Sequence, residues 1–219
     1  MKTIIATSIR DAIKTIDWLD PTDNSKAAGL VIRQTKRVKQ GDTYVNITFP
    51  ITNDAEGVKC YETGNYYAML PSSTYDSVSY IEANNPLLFQ YEDGRKKLMY
   101  STNVNLVIWA NAKKIGVTDL NAIDRIVYQV TQALTSTAGD LGVDSGRINV
   151  TDDRVTNGII DLKITNIETN NPTIFSAYSI APQVEAYTYP YLYTRFQIDT
   201  RMKIGKNCLT NITVGDELC

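Results

Sequence analysis

The sequence predicts an α+β fold: a mainly antiparallel β-sheet flanked by two helices, with an inserted loop or arm and long strands. Three observations lead there. In residues 98–110 (LMYSTNVNLVIWA) a largely apolar face carrying Leu98, Val104, Leu106 and Ile108 alternates with a mixed face ending at Trp109, the period-two pattern of a strand. In residues 120–134, Leu120, Ile123, Ile126, Val127, Val130 and Leu134 recur at spacings of three and four opposite Asn121, Asp124, Arg125 and Gln129, which makes one helical stripe. Hairpin punctuation occurs at Gly41, Gly94 and Gly158, each between apolar-rich segments. A strand face and a helix stripe each need an apolar partner, and packing the helix across the sheet that holds the strand satisfies both.

Taken in order, residues 7–19 read as a first helix. Ile9, Ile13, Ile16 and Leu19 form its stripe, Ser8 and Asp11 resemble a capping box, and Asp20-Pro21 stops it. Residues 20–27 read as a polar loop, and residues 29–51 as a hairpin turning at Gln40-Gly41-Asp42. The first arm of that hairpin holds Arg33, Lys36, Arg37 and Lys39, the most basic stretch of the chain. A charge-protected edge strand accounts for it, and so does a binding surface for phosphate or an acidic partner. Residues 52–85 shift to Asn, Ser, Thr, Gly and Tyr and read as an inserted arm, whose tyrosines suit a contact surface or packing on the sheet.

Residues 86–100 form two arms around Asp93-Gly94, the second being the start of the 98–110 strand. Thr118 is the expected N-cap of the central helix, Asp119 suits its positive N-terminal end, and Gly139 lies beyond its C-terminus. Two more strands flank Asn157-Gly158, with Ile160, Leu162 and Ile164 pointing inward. Residues 191–204 alternate for far longer than the usual strand of about five or six residues. Such a strand is expected to bend, or to extend past its own domain to a neighbour. Residues 205–219 read as a C-terminal extension, and 1–219 as one domain.

At 219 residues, 43% hydrophobic and 21% charged, the chain has the composition of a globular protein. Its formal net charge of -2 argues against a general affinity for nucleic acid or anionic membrane. Arg10 and Asp11 interrupt the early apolar run before a signal-peptide core forms, and no run is long enough to cross a membrane as a helix. Cys60, Cys208 and Cys219 show no CxxC spacing and suit free thiols. The chain has no histidine, which removes the commonest general base and the commonest metal ligand together.

The remaining chemistry is sparse. Neither GxGxxG nor GxxxxGK[ST] occurs. Asp152 and Asp153 are adjacent, so on a strand they would point to opposite faces, and a turn explains them better than a glycosidase pair. A calcium loop started at Asp153 places Val155 third and Ile164 twelfth, where oxygen ligands belong. An enzyme is not expected, and no metal or cofactor is; a carboxylate-dependent reaction using Asp152 or Asp199 is the residual catalytic reading. Trp109 fits either an exposed anchor for a partner or a second buried face. Tyr191 and Tyr193, in a row with Arg195 and Arg201, suit carbohydrate, single-stranded nucleic acid or a protein interface, and the acidic balance weighs against nucleic acid.

The succession LMYSTNVNLVIWANAKKIGVTDLNAIDRIVYQVTQAL, a long strand closing on an apolar-Trp step, a short loop and an amphipathic helix, resembles bacteriophage tail-terminator and tail-completion proteins, which form rings at the head-tail junction. In that family a helix and a hairpin precede this unit, as residues 7–51 would here, and further strands follow, as 147–167 and 191–204 would. The arm at 52–85 and the segment after Ile204 depart from the usual family size. They are reminiscent of neck ring proteins of short-tailed phages such as the crAss-like group.

The resemblance implies a virion structural protein: a homo-oligomeric ring of about six or twelve copies, assembled in the host bacterial cytoplasm and stacked between portal and tail. Its partners would be further copies of itself, the portal and other ring or tail proteins, with genomic DNA passing the lumen without specific binding. It carries over no catalytic residue and no cofactor. The candidate interface residues are Arg33, Lys36, Arg37, Lys39, Trp109, Tyr191, Tyr193, Arg195 and Arg201. The alternative is a carbohydrate- or surface-binding module using the Tyr-rich strand faces.

Overall fold

The alternating segment at 98–110 becomes β5 (Lys97–Asn111), and the last long alternation becomes β8 (Tyr191–Gly205). They pair antiparallel along their whole length, from Lys97↔Gly205 to Asn111↔Tyr191. The length of β8 is thus matched by β5 inside the sheet. The computed structural model describes residues 1–19, 24–52, 71, 73–92, 97–117, 119, 121–135, 144–155, 157–176, 178 and 189–205.

Around this pair, β1 (Ser25–Gln40), β2 (Thr43–Thr52), β3 (Ser77–Glu82), β4 (Leu88–Glu92), β6 (Ser145–Asn149) and β7 (Ile159–Thr169) complete an eight-stranded sheet. Its order is β2-β1-β3-β5-β8-β7-β6, and β4 pairs with β5 next to the end of β3. The β1–β3 pairing is parallel and the others are antiparallel. With α1 (Lys2–Ile13) and α2 (Ala122–Thr135), this is the α+β architecture that the sequence predicts.

Both helices lie on one face of the sheet. Ile4, Ile5, Ile9 and Ile13 of α1 and Ile126, Val130 and Leu134 of α2 are buried against Leu106 and Ile108 of β5, Phe196 and Ile198 of β8, and Ile160 and Leu162 of β7. The first helix begins at Lys2, not at Thr7, and the 3-10 turn Asp17–Leu19 carries Leu19. Ser8 is therefore no cap: it is buried mid-helix, and its Oγ accepts from the backbone N–H of Thr151 at 3.3 Å. Burial of Ile4 and Ile5 outweighs the local capping signal, because apolar area removed from water is worth more than one cap. Thr118, Leu120 and Gly139 lie outside the described residues. The Asp119 carboxylate accepts from the N–H of Asn121, just ahead of α2, at 3.0 Å.

Two strands differ from expectation. β1 starts at Ser25, inside the segment read as a polar loop. β3 lies inside the segment read as an irregular arm, and all six of its residues are buried. Its sequence, SVSYIE, alternates weakly because both faces are covered, which removes the polar half of the pattern. Residues 53–70 lie outside the described residues, as do 206–219.

Gly41, at φ +60°, occupies the two-residue turn between Gln40 and Thr43, where the left-handed conformation favours glycine. Gly146 serves a different need. A Cβ built there would meet the backbone oxygen of Leu134 at 1.9 Å, so the last turn of α2 rests directly on β6. Gly146→Ala is expected to lower stability by about 1–3 kcal/mol, the cost of forcing a packed helix off its strand, measured as a shift in the urea midpoint. An unchanged midpoint would mean that α2 does not sit on β6.

Candidate functional site

The second face of the sheet is divided. At the Trp109 end it is apolar: Val78 and Tyr80 of β3, Val107 and Trp109 of β5 and Tyr193 of β8 are buried beneath Ile174, Phe175 and Tyr178. The 3-10 turn Pro172–Phe175, whose first N–H groups are capped by Asn171 Oδ1 accepting from Thr173 N at 3.1 Å, supplies that cover. Trp109 is 0% exposed and Tyr193 is 2% exposed, so neither is a surface anchor. This settles the two readings of Trp109 in favour of the buried one. Tyr191 is half-buried with its ring edge-on to Trp109 at 6.5 Å, and Arg195 is held by Glu168 at 2.6 Å. The expected Tyr/Arg row is therefore not presented as one continuous platform.

At the other end the same face is polar and open. A cleft of about 660 Å³ is lined by Asn85, Asn103, Asp161, Lys163, Asp199 and Arg201, among others. Its carboxylates already have partners: Asp199 accepts from Asn103 Nδ2 at 2.8 Å, and Asp161 from Arg147 Nε at 2.8 Å with Lys203 at 3.5 Å. Cross-strand register sets Arg201 beside Asp161 and Lys163 beside Asp199, so charges of opposite sign alternate across the floor. Asp152 lies elsewhere, below α1. Its carboxyl is held below the usual carboxylate range, chiefly by the side-chain hydrogen bond from Arg154. Among the described residues, no group of three or more Asp, Glu or Cys is placed to hold a metal ion.

The basic hairpin is the most exposed feature. β1 pairs with β3 only as far as Val31↔Glu82, whereas its pairing with β2 continues to Gln40↔Thr43. Residues 32–37 and 39 are exposed, and so are 41–44. The outer part is a two-stranded ribbon about 30 Å long by strand rise. Alternation gives it two faces. Ile32, Lys36, Val45, Ile47 and Ile51 share one; Arg33, Thr35, Arg37, Lys39, Tyr44 and Asn46 share the other. Ile32 remains 49% exposed, and Tyr44, at 59%, lies under the Arg37 guanidinium at 4.8 Å. The four cations thus do not form one surface: Lys36 points away from Arg37 and Lys39.

Arg33 has a separate task at the root of the ribbon. It reaches Glu82 at 3.3 Å, and Glu82 also accepts from the Tyr178 hydroxyl. Glu82 is 2% exposed. Burial first, and then the neighbouring carboxylate, push the Tyr178 hydroxyl far above its ordinary pKa, so it stays a donor. Sequence reading missed this cluster. Its only local signal is an acidic residue closing an otherwise uncharged strand.

A further surface was also missed. On β4, Leu88, Phe89 and Tyr91 are 67%, 50% and 55% exposed, and Phe89 packs on Tyr91 and Tyr100 at 5.1 and 5.3 Å. Compared with known proteins, the chain matches no family model, and no curated protein matches it.

Proposed function

We propose that the chain is a structural subunit of a bacteriophage virion, one of the rings stacked between portal and tail through which DNA passes. The observation that carries this reading is the projecting ribbon. A two-stranded hairpin is marginally stable alone in water, and this one holds Ile32 in solvent; such an element gains its order when another surface covers it. The strand-Trp-loop-helix succession supports the same reading through its resemblance to ring-forming tail proteins. The net charge of -2 suits a wall that DNA must slide past, since a strongly basic lumen would hold the phosphates.

The test is the mass of the purified full chain by native mass spectrometry, with negative-stain images of the same sample and immunogold labelling of virions. A closed ring of about six or twelve copies, with label at the neck, is the expected result. A chain that stays monomeric and is absent from purified particles would remove the proposal.

A further inference from the structure

We infer that the polar face of the basic ribbon binds the phosphate backbone of duplex DNA, independently of base sequence. Alternation and register place Thr35, Arg37, Lys39, Tyr44, Asn46 and Thr48 on that face, in the cross-strand rows Thr35↔Thr48, Arg37↔Asn46 and Lys39↔Tyr44. Successive rows lie about 7 Å apart by strand rise. All six residues except Thr48 are exposed. Hydroxyl, amide, phenol, ammonium and guanidinium groups are the side-chain groups that hydrogen-bond phosphate oxygens, and this face carries no carboxylate between Thr35 and Thr48.

The two cations are available. Among the described residues no carboxylate pairs with Arg37 or Lys39, whereas Arg33 is committed to Glu82 at the root. Arg37 lies over the Tyr44 ring at 4.8 Å, a contact that uses its charge and none of its N–H groups. Residues 32–51 hold Arg33, Lys36, Arg37 and Lys39 against Asp42, a net +3, although the whole chain is -2. The screening length is about 10 Å at 0.1 M salt, so a ribbon about 30 Å long presents its own charge and not the total. A protein partner fits this face less well: interface cores are apolar or aromatic and depleted of lysine, and Ile32 and Ile47 lie on the opposite face. Two cations per ribbon make a weak contact that exchanges readily and lets a duplex slide. The inference goes beyond the proposed ring and does not depend on it.

Fluorescence anisotropy of a short labelled DNA duplex, titrated with the full chain at about 50 mM and about 200 mM salt, tests the contact. The double variant Arg37→Ala with Lys39→Ala is expected to bind about tenfold more weakly or worse, and its slope of log affinity against log salt to flatten by about 0.9 for each cation removed from an engaged ribbon. Arg37→Lys keeps the charge and should keep most of the binding. Lys36→Ala, on the opposite face, is expected to change affinity by less than about threefold, since its ammonium points away from the bound backbone. All three sites are exposed, and melting curves that match the wild type establish that each variant folds. Two duplexes of unrelated sequence should bind alike.

A wild-type chain that leaves the anisotropy unchanged at the lower salt would overturn the inference. So would a loss in Lys36→Ala as large as that in Arg37→Ala, which would mean a diffuse field and no binding face. If the duplex does not bind but the double variant lowers the assembled mass in native mass spectrometry, the face meets another copy. The ring reading fails separately: a monomer absent from virions that still binds the duplex through Arg37 and Lys39 removes the ring and keeps this site.

Discussion

Trp109→Ala is expected to cost about 3–5 kcal/mol of folding stability, the range for deleting a fully buried large aromatic side chain. Trp109 is 0% exposed and packs with Val107, Tyr193 and the turn that carries Phe175. The surrounding strands are fixed by ladders on both sides, through Val78↔Trp109 and Trp109↔Tyr193, so collapse around the hole is limited. Urea denaturation followed by circular dichroism gives the number, and Trp109→Phe, which retains most of the volume, should recover over half of the loss. An interface role makes the opposite forecast, with stability unchanged and association weakened. An unaltered urea midpoint in Trp109→Ala would therefore return Trp109 to the surface.

The second large effect belongs to Glu82. A carboxylate at 2% exposure persists only with donors, and among the described residues these include the Tyr178 hydroxyl and the Arg33 guanidinium at 3.3 Å. Glu82→Ala strands a buried hydroxyl and releases the cation at the root of the ribbon, for an expected loss of about 2–4 kcal/mol. Tyr178→Phe removes one donor and is expected to cost about 1–2 kcal/mol. The double variant should cost clearly less than the two singles added together, because once the acceptor is gone the hydroxyl no longer contributes. Strict additivity would show that Glu82 and Tyr178 do not share a bond. Proteolysis gives an independent readout: with Arg33 released, cleavage after Lys36, Arg37 or Lys39 should speed up more than the global stability loss accounts for.

Much of the fold was legible in residues close together in sequence. Period two in 98–110 and 191–204, period 3.6 in 120–134, and the glycines at 41 and 94 report backbone geometry through neighbouring residues, and the strands and hairpins they imply are present. Where the reading failed, a distant contact had overridden a local signal. α1 starts at Lys2 because Ile4 and Ile5 find a sheet to pack on, and β3 gives no clean alternation because the chain covers it from both sides.

The candidate site shows the same division more sharply. Alternation put Tyr191, Tyr193 and Arg195 on one face of their strand, and the β5–β8 register adds Trp109 to that side of the sheet. It could not say that Ile174, Phe175 and Tyr178, more than sixty positions beyond Trp109, lie over that side and bury two of them. The sequence grouped Arg33, Lys36, Arg37 and Lys39 as one basic arm, whereas the partner of Arg33 lies 49 residues away in sequence and that of Glu82, Tyr178, lies 96 away. By itself the sequence determined which side chains share a face and where the chain turns, since periodicity and φ preferences are local properties. Only the tertiary structure decided which faces are covered, that the outer part of the basic hairpin is exposed, and that β4 has one strand partner among the described residues. Cover is supplied by segments remote in the chain, and no local pattern encodes their arrival.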